Sequence, residues 1–197
     1  MRPITTELLS GVELYRRVVV ERLARARETV WISTANVKEM YIESPERKEY
    51  ESILDLFGRM AARGVALRIL HAELPSRPFR EAFDRQRALV AGGLELKICP
   101  RVHFKAVIVD GAWIYLGSAN LTGAGLGAKG ADRRNFEVGF VTEDFDVIDR
   151  VTAMYESIWN GSECRACKVR DLCPDPIGDA PVESAYAARA KRRPRRA

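Results

Sequence analysis

Residues 103–120 read HFKAVIVDGAWIYLGSAN and fit the pattern H-x-K-x4-D-x6-G-S-x-N at all six fixed positions: His103, Lys105, Asp110, Gly117, Ser118 and Asn120. The stretch constrains the fold before it suggests any chemistry. Val102 to Val109 is rich in β-branched residues, Asp110-Gly111 is a turn signal, and Trp113 to Leu116 is a second apolar run, which together predict strand–turn–strand. Side chains alternate along a strand, so His103 and Lys105 share one face while Phe104, Ala106 and Ile108 take the other. Gly117-Ser118 breaks the second strand. A helix starting there would turn Ser118 and free backbone N–H groups toward an anion.

The polar residues of this pattern suit one task, which is to hold a phosphate and attack it. A neutral imidazole can attack phosphorus, giving a covalent phosphohistidine and dividing one difficult displacement into two. A second, protonated imidazole can donate a proton to the leaving oxygen. Lys105 supplies positive charge, and Ser118 and Asn120 supply neutral donors for the non-bridging oxygens of the transition state. None of these roles needs a metal. One histidine cannot be nucleophile and acid at once, and the only other histidine, His71, lies in LHAEL with no lysine two residues on. His71 reads better as a strand-end or core residue than as a catalyst.

The six-position pattern resembles the HKD signature of the phospholipase D superfamily. That resemblance implies two HKD motifs paired across a pseudo-twofold axis. This chain holds one, so the second would come from another copy, and a C2 homodimer would bring both copies of His103 to a shared site. Downstream, residues 133–138 read RRNFEV, similar to the corresponding region of single-motif bacterial endonucleases. There the resemblance assigns to Glu137 the carboxylate that accepts a hydrogen bond from the catalytic imidazole, fixing its tautomer. Asn135 is a weaker candidate for the rim. The resemblance makes Asp110 a scaffold residue, read here as a turn and dimer-contact residue, with Gly117 as a structural part of the motif.

Elsewhere strands and helices alternate. Helices are expected over 6–28, 47–63, 78–91 and about 144–159. Strands are expected at Thr29–Ser33, Val65–Leu70, Leu94–Cys99 and Phe136–Val141, besides the two motif strands. This order predicts an α/β fold, a mixed β-sheet flanked by helices on both faces, and resembles the phospholipase D fold over roughly residues 10–160. The Gly-rich run LTGAGLGAKGADRR, 121–134, is either the rim of the site or an ordinary surface loop.

Of 197 residues, 47% are hydrophobic, enough for one sizeable core. No apolar run reaches the length of a membrane span. The N-terminus alternates charged and apolar residues, unlike a signal peptide, so a cytoplasmic location with reduced thiols is expected. The net charge of +5 is unevenly placed. Residues 189–197, RAKRRPRRA, carry six of the 32 Lys and Arg and no acid, leaving 26 basic and 27 acidic residues before them. Such a tail is expected to be disordered and suits a polyanion. Nucleic acid fits better than a membrane because no apolar anchor adjoins it.

The four cysteines are Cys99, Cys164, Cys167 and Cys173, the last three spaced C-x2-C-x5-C. In a reducing compartment this spacing points to metal, with Cys99 as the only cysteine left to complete a set of four. The spacing resembles the distal cysteines of the iron–sulfur loop in endonuclease-III-type glycosylases and those of iron–sulfur nuclease domains. The expected occupant is a [4Fe–4S] cluster, with zinc or free thiols as alternatives. Arg165, Lys168 and Arg170 would balance its charge or meet DNA.

The expected organisation is a catalytic domain over 1–160, a cysteine-rich metal-binding extension over 161–176 and a basic tail over 177–197. The expected function is a metal-independent phosphodiesterase, a hydrolase cutting nucleic acid through a phosphohistidine at a homodimeric site. The alternatives are a phospholipase D or phosphatidyl transferase, and a DNA-binding module without catalysis.

Overall fold

The computed structural model describes residues 2–44 and 49–175, so the basic tail expected over 177–197 lies outside the described residues. A seven-stranded sheet runs through the molecule. Its strands are β1 (Glu7–Ser10), β2 (Thr29–Thr34), β5 (Ala66–His71), β6 (Glu95–Ile98), β7 (Lys105–Val109), β8 (Trp113–Gly117) and β9 (Val138–Thr142), in the order β1-β9-β8-β7-β2-β5-β6. β2, β5 and β6 are parallel and the remaining pairs antiparallel. A small ribbon of β3 (Tyr41–Glu43) and β4 (Tyr50–Ser52) stands apart from it.

The two faces of the sheet are covered unequally. One face packs on a helix that begins as α1 (Val12–Leu14) and continues as a π-helical segment (Tyr15–Arg22), and on α2 (Ile53–Ala62) and α3 (Arg77–Asp84). Val30, Ile32, Val107, Val109 and Tyr115 point into that core. The alternate residues Trp31, Ala106, Ile108 and Ile114 point to the other face, which α4 (Phe145–Trp159) covers. The helix starts follow local chemistry: Ser52 accepts from the Leu54 N–H, and Asp144 from the Val147 N–H, each satisfying an otherwise orphaned donor.

The expected mixed sheet with helices on both faces is therefore the fold, with local differences. Residues 7–10 form an edge strand on β9 instead of the first turn of a helix. Leu9 is buried beneath it, and Gly11, at φ 52, turns the chain into α1. Pairing along the sheet edge outweighs the helical period that a sequence window reads there. The second helix starts at Ile53, because residues 50–52 pair in the ribbon. The helix expected over 78–91 ends at Asp84, and a separate π-helical turn, Leu89–Gly93, follows with Gly92 at φ 104. No helix begins after Ser118; residues 119–127 make a compact turn. The Gly-rich run from Leu121 to Gly127 is mostly buried, so this part is packed structure and not a loose loop.

Trp31, Tyr155 and Trp159 stack in a row, with ring centroids 5.4 and 5.7 Å apart. The Arg68 guanidinium lies over both tryptophans. Lys97 Nζ lies 4.9 Å from the Trp159 ring and donates to the Trp159 carbonyl at 2.6 Å. This row fastens the end of α4 to β2, β5 and β6. Trp159→Ala is expected to cost about 3 kcal/mol or more, read as a lowered urea midpoint.

Candidate active site

The motif spacing is the geometry of a hairpin. Lys105 opens β7 and stands opposite Gly117, which closes β8; Asp110 lies at the turn between the strands. Gly117 in turn stands opposite Gly139 of β9, and Ala106 opposite Ser33 near the end of β2. His103, Lys105, Ser118, Asn120 and Glu137 consequently collect at one end of the sheet.

Asp110 holds that hairpin in place. It is the one non-glycine residue at positive φ among the described residues, at 53°, a conformation Asp tolerates better than most residues. Its carboxylate accepts from the backbone N–H groups of Arg27, Glu28 and Thr29 at 2.8–3.1 Å. Burial raises the Asp110 pKa, but the bonds from Thr29, Glu28 and Arg27 outweigh it and hold it below the usual carboxylate range. The carboxylate is committed within its own chain, clamping the start of β2. This is the scaffold and turn role expected for it, made here through three backbone N–H groups.

His103 lies just before β7 and is exposed. Lys105 is buried; its Nζ donates to the His103 carbonyl at 2.7 Å and stands 3.5 Å from the imidazole Nδ1. The Asn120 Oδ1 accepts from the N–H groups of Ala35 and Asn36 at 3.0 and 3.3 Å, and lies 3.1 Å from the Thr34 hydroxyl. Backbone N–H groups only donate, so these contacts fix which way the amide points. Its NH2 edge is turned away from them, free to donate elsewhere.

Glu137 differs from expectation. Within the chain its carboxylate accepts from the Ser118 hydroxyl and, at 3.1 Å, from the Asn135 amide. Among the described residues no hydrogen bond joins Glu137 to an imidazole. Ser118 also accepts from the Val138 N–H at 3.1 Å, so its hydroxyl is oriented by both neighbours. His71 lies at the end of β5, 3% exposed, with Nδ1 2.8 Å from the Glu73 carbonyl. Burial lowers its pKa, and it is a core residue.

Sequence reasoning missed the support beneath the motif. Tyr115 is fully buried, with its phenol pushed up to about 12 by burial, and its hydroxyl accepts from the Ala119 N–H at 3.2 Å. The ring occupies the space left by two glycines. A Cβ on Gly117 would meet the Tyr115 hydroxyl at 2.3 Å, and one on Gly139 would meet the ring at 2.3 Å. The signal lay in a glycine on β9, which reads in sequence only as a weakened strand.

The four cysteines also sit near this end of the sheet. Cys99, Cys164, Cys167 and Cys173 line one cavity of about 230 Å3 beside the last turns of α4, and all are free thiols. As placed, no three metal-ligating side chains among the described residues converge on one ion.

The family model for the PLD-like domain of cardiolipin synthase matches residues 19–159. The chain belongs to this family. No curated protein matches it by sequence. Among solved structures, NucT from Helicobacter pylori is similar at a TM-score of 0.57 and 16% identity, covering 80% of this chain and 96% of its own. Nuc from Salmonella typhimurium, described as a phospholipase D family member, gives 0.56 and 19%, covering 79% and 95%. TrmBL2, an archaeal chromatin protein, gives 0.53 and 14%, covering 87% of this chain and 54% of its own. At these identities the likeness is one of fold.

The Asp110 clamp yields a prediction with a definite sign. A carboxylate held below its unfolded value near 3.9 stabilises the fold above that pH and ceases to do so as pH falls through the folded value. Asp110→Asn should melt lower than wild type at pH 7. The gap should close in strongly acidic buffer, well below pH 3.9, where both side chains are neutral.

Proposed function

We propose that the protein is a metal-independent phosphodiesterase that hydrolyses nucleic acid through a phosphohistidine, at a site completed by a second copy of the chain. The observation that carries this reading is the cluster at the sheet end: one exposed imidazole beside a buried ammonium and an amide whose orientation is fixed through its oxygen. His103 attacks phosphorus in one subunit, and His103 of the partner subunit protonates the leaving oxygen. Lys105 and Asn120 stabilise the charge that develops on the non-bridging oxygens. Ser118 and Glu137 position the rim, and the Glu137 carboxylate keeps acceptor capacity for an imidazole beside the bonds from Ser118 and Asn135.

Several features favour nucleic acid as substrate. Phe136 is fully exposed next to Glu137, and Arg133 and Arg134 precede it. An aromatic face among basic residues suits stacking on a base with charge toward the backbone. The fold is shared with NucT and Nuc. Residues 1–160 would be the catalytic unit, 161–176 a cysteine-rich extension, and 177–197 a basic arm for the polyanion.

One observation favours a lipid substrate: the matching family model carries the description of cardiolipin synthase. The likeness to TrmBL2 similarly favours DNA binding without cleavage, although binding alone has no use for a nucleophile. Among the described residues no helix is long and apolar enough to cross a membrane.

Incubation with single-stranded DNA, RNA and phosphatidylcholine vesicles in EDTA separates these readings. Cleavage of a nucleic acid is expected; cleavage of the lipid alone would overturn the assignment. His103→Ala should abolish turnover while leaving the melting curve nearly unchanged. Lys105→Ala and Asn120→Ala should each slow turnover about a hundredfold or more, the loss of roughly 2.7–4 kcal/mol that follows removal of an oxyanion donor. Sedimentation should give twice the chain mass for the active species, and a fully active monomer at dilution would rule out the shared site.

A further inference from the structure

Every cysteine of the sequence reaches the cavity between the end of β6, the last turns of α4 and the segment that follows. Three come from that segment and one, Cys99, from the end of β6. The segment is organised around them. The Cys167 N–H donates to the Cys164 carbonyl at 3.2 Å and the Cys173 N–H to the Arg170 carbonyl at 3.0 Å. The Arg170 guanidinium donates to the Cys164 carbonyl at 3.0 Å. Arg101 lies beside Cys167, and Lys97, Arg101 and Arg170 line the cavity together with Glu163 and Asp175. Four thiolates outweigh the charge of a divalent ion, so a loaded site would be anionic, and the three cations of the lining outnumber its two carboxylates.

We propose that Cys99, Cys164, Cys167 and Cys173 hold one iron–sulfur cluster, which fastens residues 161–175 to the turn that carries His103. The size of the cavity favours a cluster over a single ion. Zinc lies about 2.3 Å from each sulfur, so one ion would need the thiols within roughly 4 Å of one another. The four thiols instead line one cavity of about 230 Å3, room for a polynuclear centre held by four thiolate ligands.

The centre would act on the catalytic strand through the backbone. The Cys99 N–H donates to the His71 carbonyl at 2.8 Å, and the Val102 N–H to the Cys99 carbonyl at 2.9 Å. Val102 is buried with Leu70, Tyr155 and Trp159, and His103 follows it. A ligand bond at Cys99 would fix the start of this turn, and loss of the centre would loosen it. The metal assignment does not depend on the phosphodiesterase reading, and it is tested without measuring activity.

The full chain, purified anaerobically, should be coloured, with about four iron and four acid-labile sulfide per chain. Cys99→Ser should lose that iron and sulfide while its far-UV circular dichroism stays that of the wild type. Cys167→Ser should behave the same way. Retention of full iron by Cys99→Ser would overturn the four-cysteine set. The wild-type analysis stands even if a variant fails to fold. One zinc and no iron, persisting after anaerobic reconstitution with ferrous iron and sulfide, would overturn the cluster, as would a chain that takes up no metal.

Discussion

The arrangement of the site depends on the turn at Asp110. Three backbone N–H groups of the chain entering β2 converge on its carboxylate, so one side chain sets the β7–β8 hairpin against the central parallel strand. With the turn fixed, the register follows: Lys105 meets Gly117, and Ile108 meets Ile114. A slip of one residue would exchange the faces of every side chain in the hairpin. Lys105 would then leave the sheet end, and Ala106 and Ile108 would leave the core under α4. The four residues between Lys105 and Asp110 and the six between Asp110 and Gly117 are therefore the lengths of two paired strands around a clamped turn.

The end of that hairpin tolerates little bulk. Tyr115 lies in the gap made by Gly117 and Gly139, and its hydroxyl holds the Ala119 N–H. Asn120 follows at once and is seized by the loop after β2. A buried ring, two glycines and an amide thus fix the donor edge of the site from beneath, which is how a rigid scaffold presents groups to a substrate. The row of Trp31, Tyr155 and Trp159 plays the corresponding part on the opposite face. It sets the end of α4 beside β6, and so decides where Cys164, Cys167 and Cys173 fall relative to Cys99.

Local signals made much of this legible in the sequence. The β-branched run, Asp110-Gly111 and the apolar run at Trp113 describe the hairpin directly, and the alternation of strand and helix describes the layered sheet. What sequence windows could not show were pairings between distant segments. Residues 7–10 carry a helical pattern but complete a sheet edge against Val138–Val141. Glu137 reads as a partner for an imidazole, yet within the chain Ser118 and Asn135 occupy it. Asp110 reads as a turn and scaffold residue, but its three partners, about 80 residues earlier, are not visible in any local window. The seat of Tyr115 between two glycines is visible only once β8 and β9 are side by side.

The central claim is that two copies of His103 act on one phosphodiester. Mixed dimers test it most directly. Wild-type and His103→Ala chains, carrying different tags, are unfolded together, refolded in varied ratios and assayed at constant total protein. If each site needs both imidazoles, activity falls as the square of the wild-type fraction, and purified mixed dimers are inactive. Activity that falls in direct proportion to the wild-type fraction, with half-active mixed dimers, would contradict the shared site and assign catalysis to each chain alone.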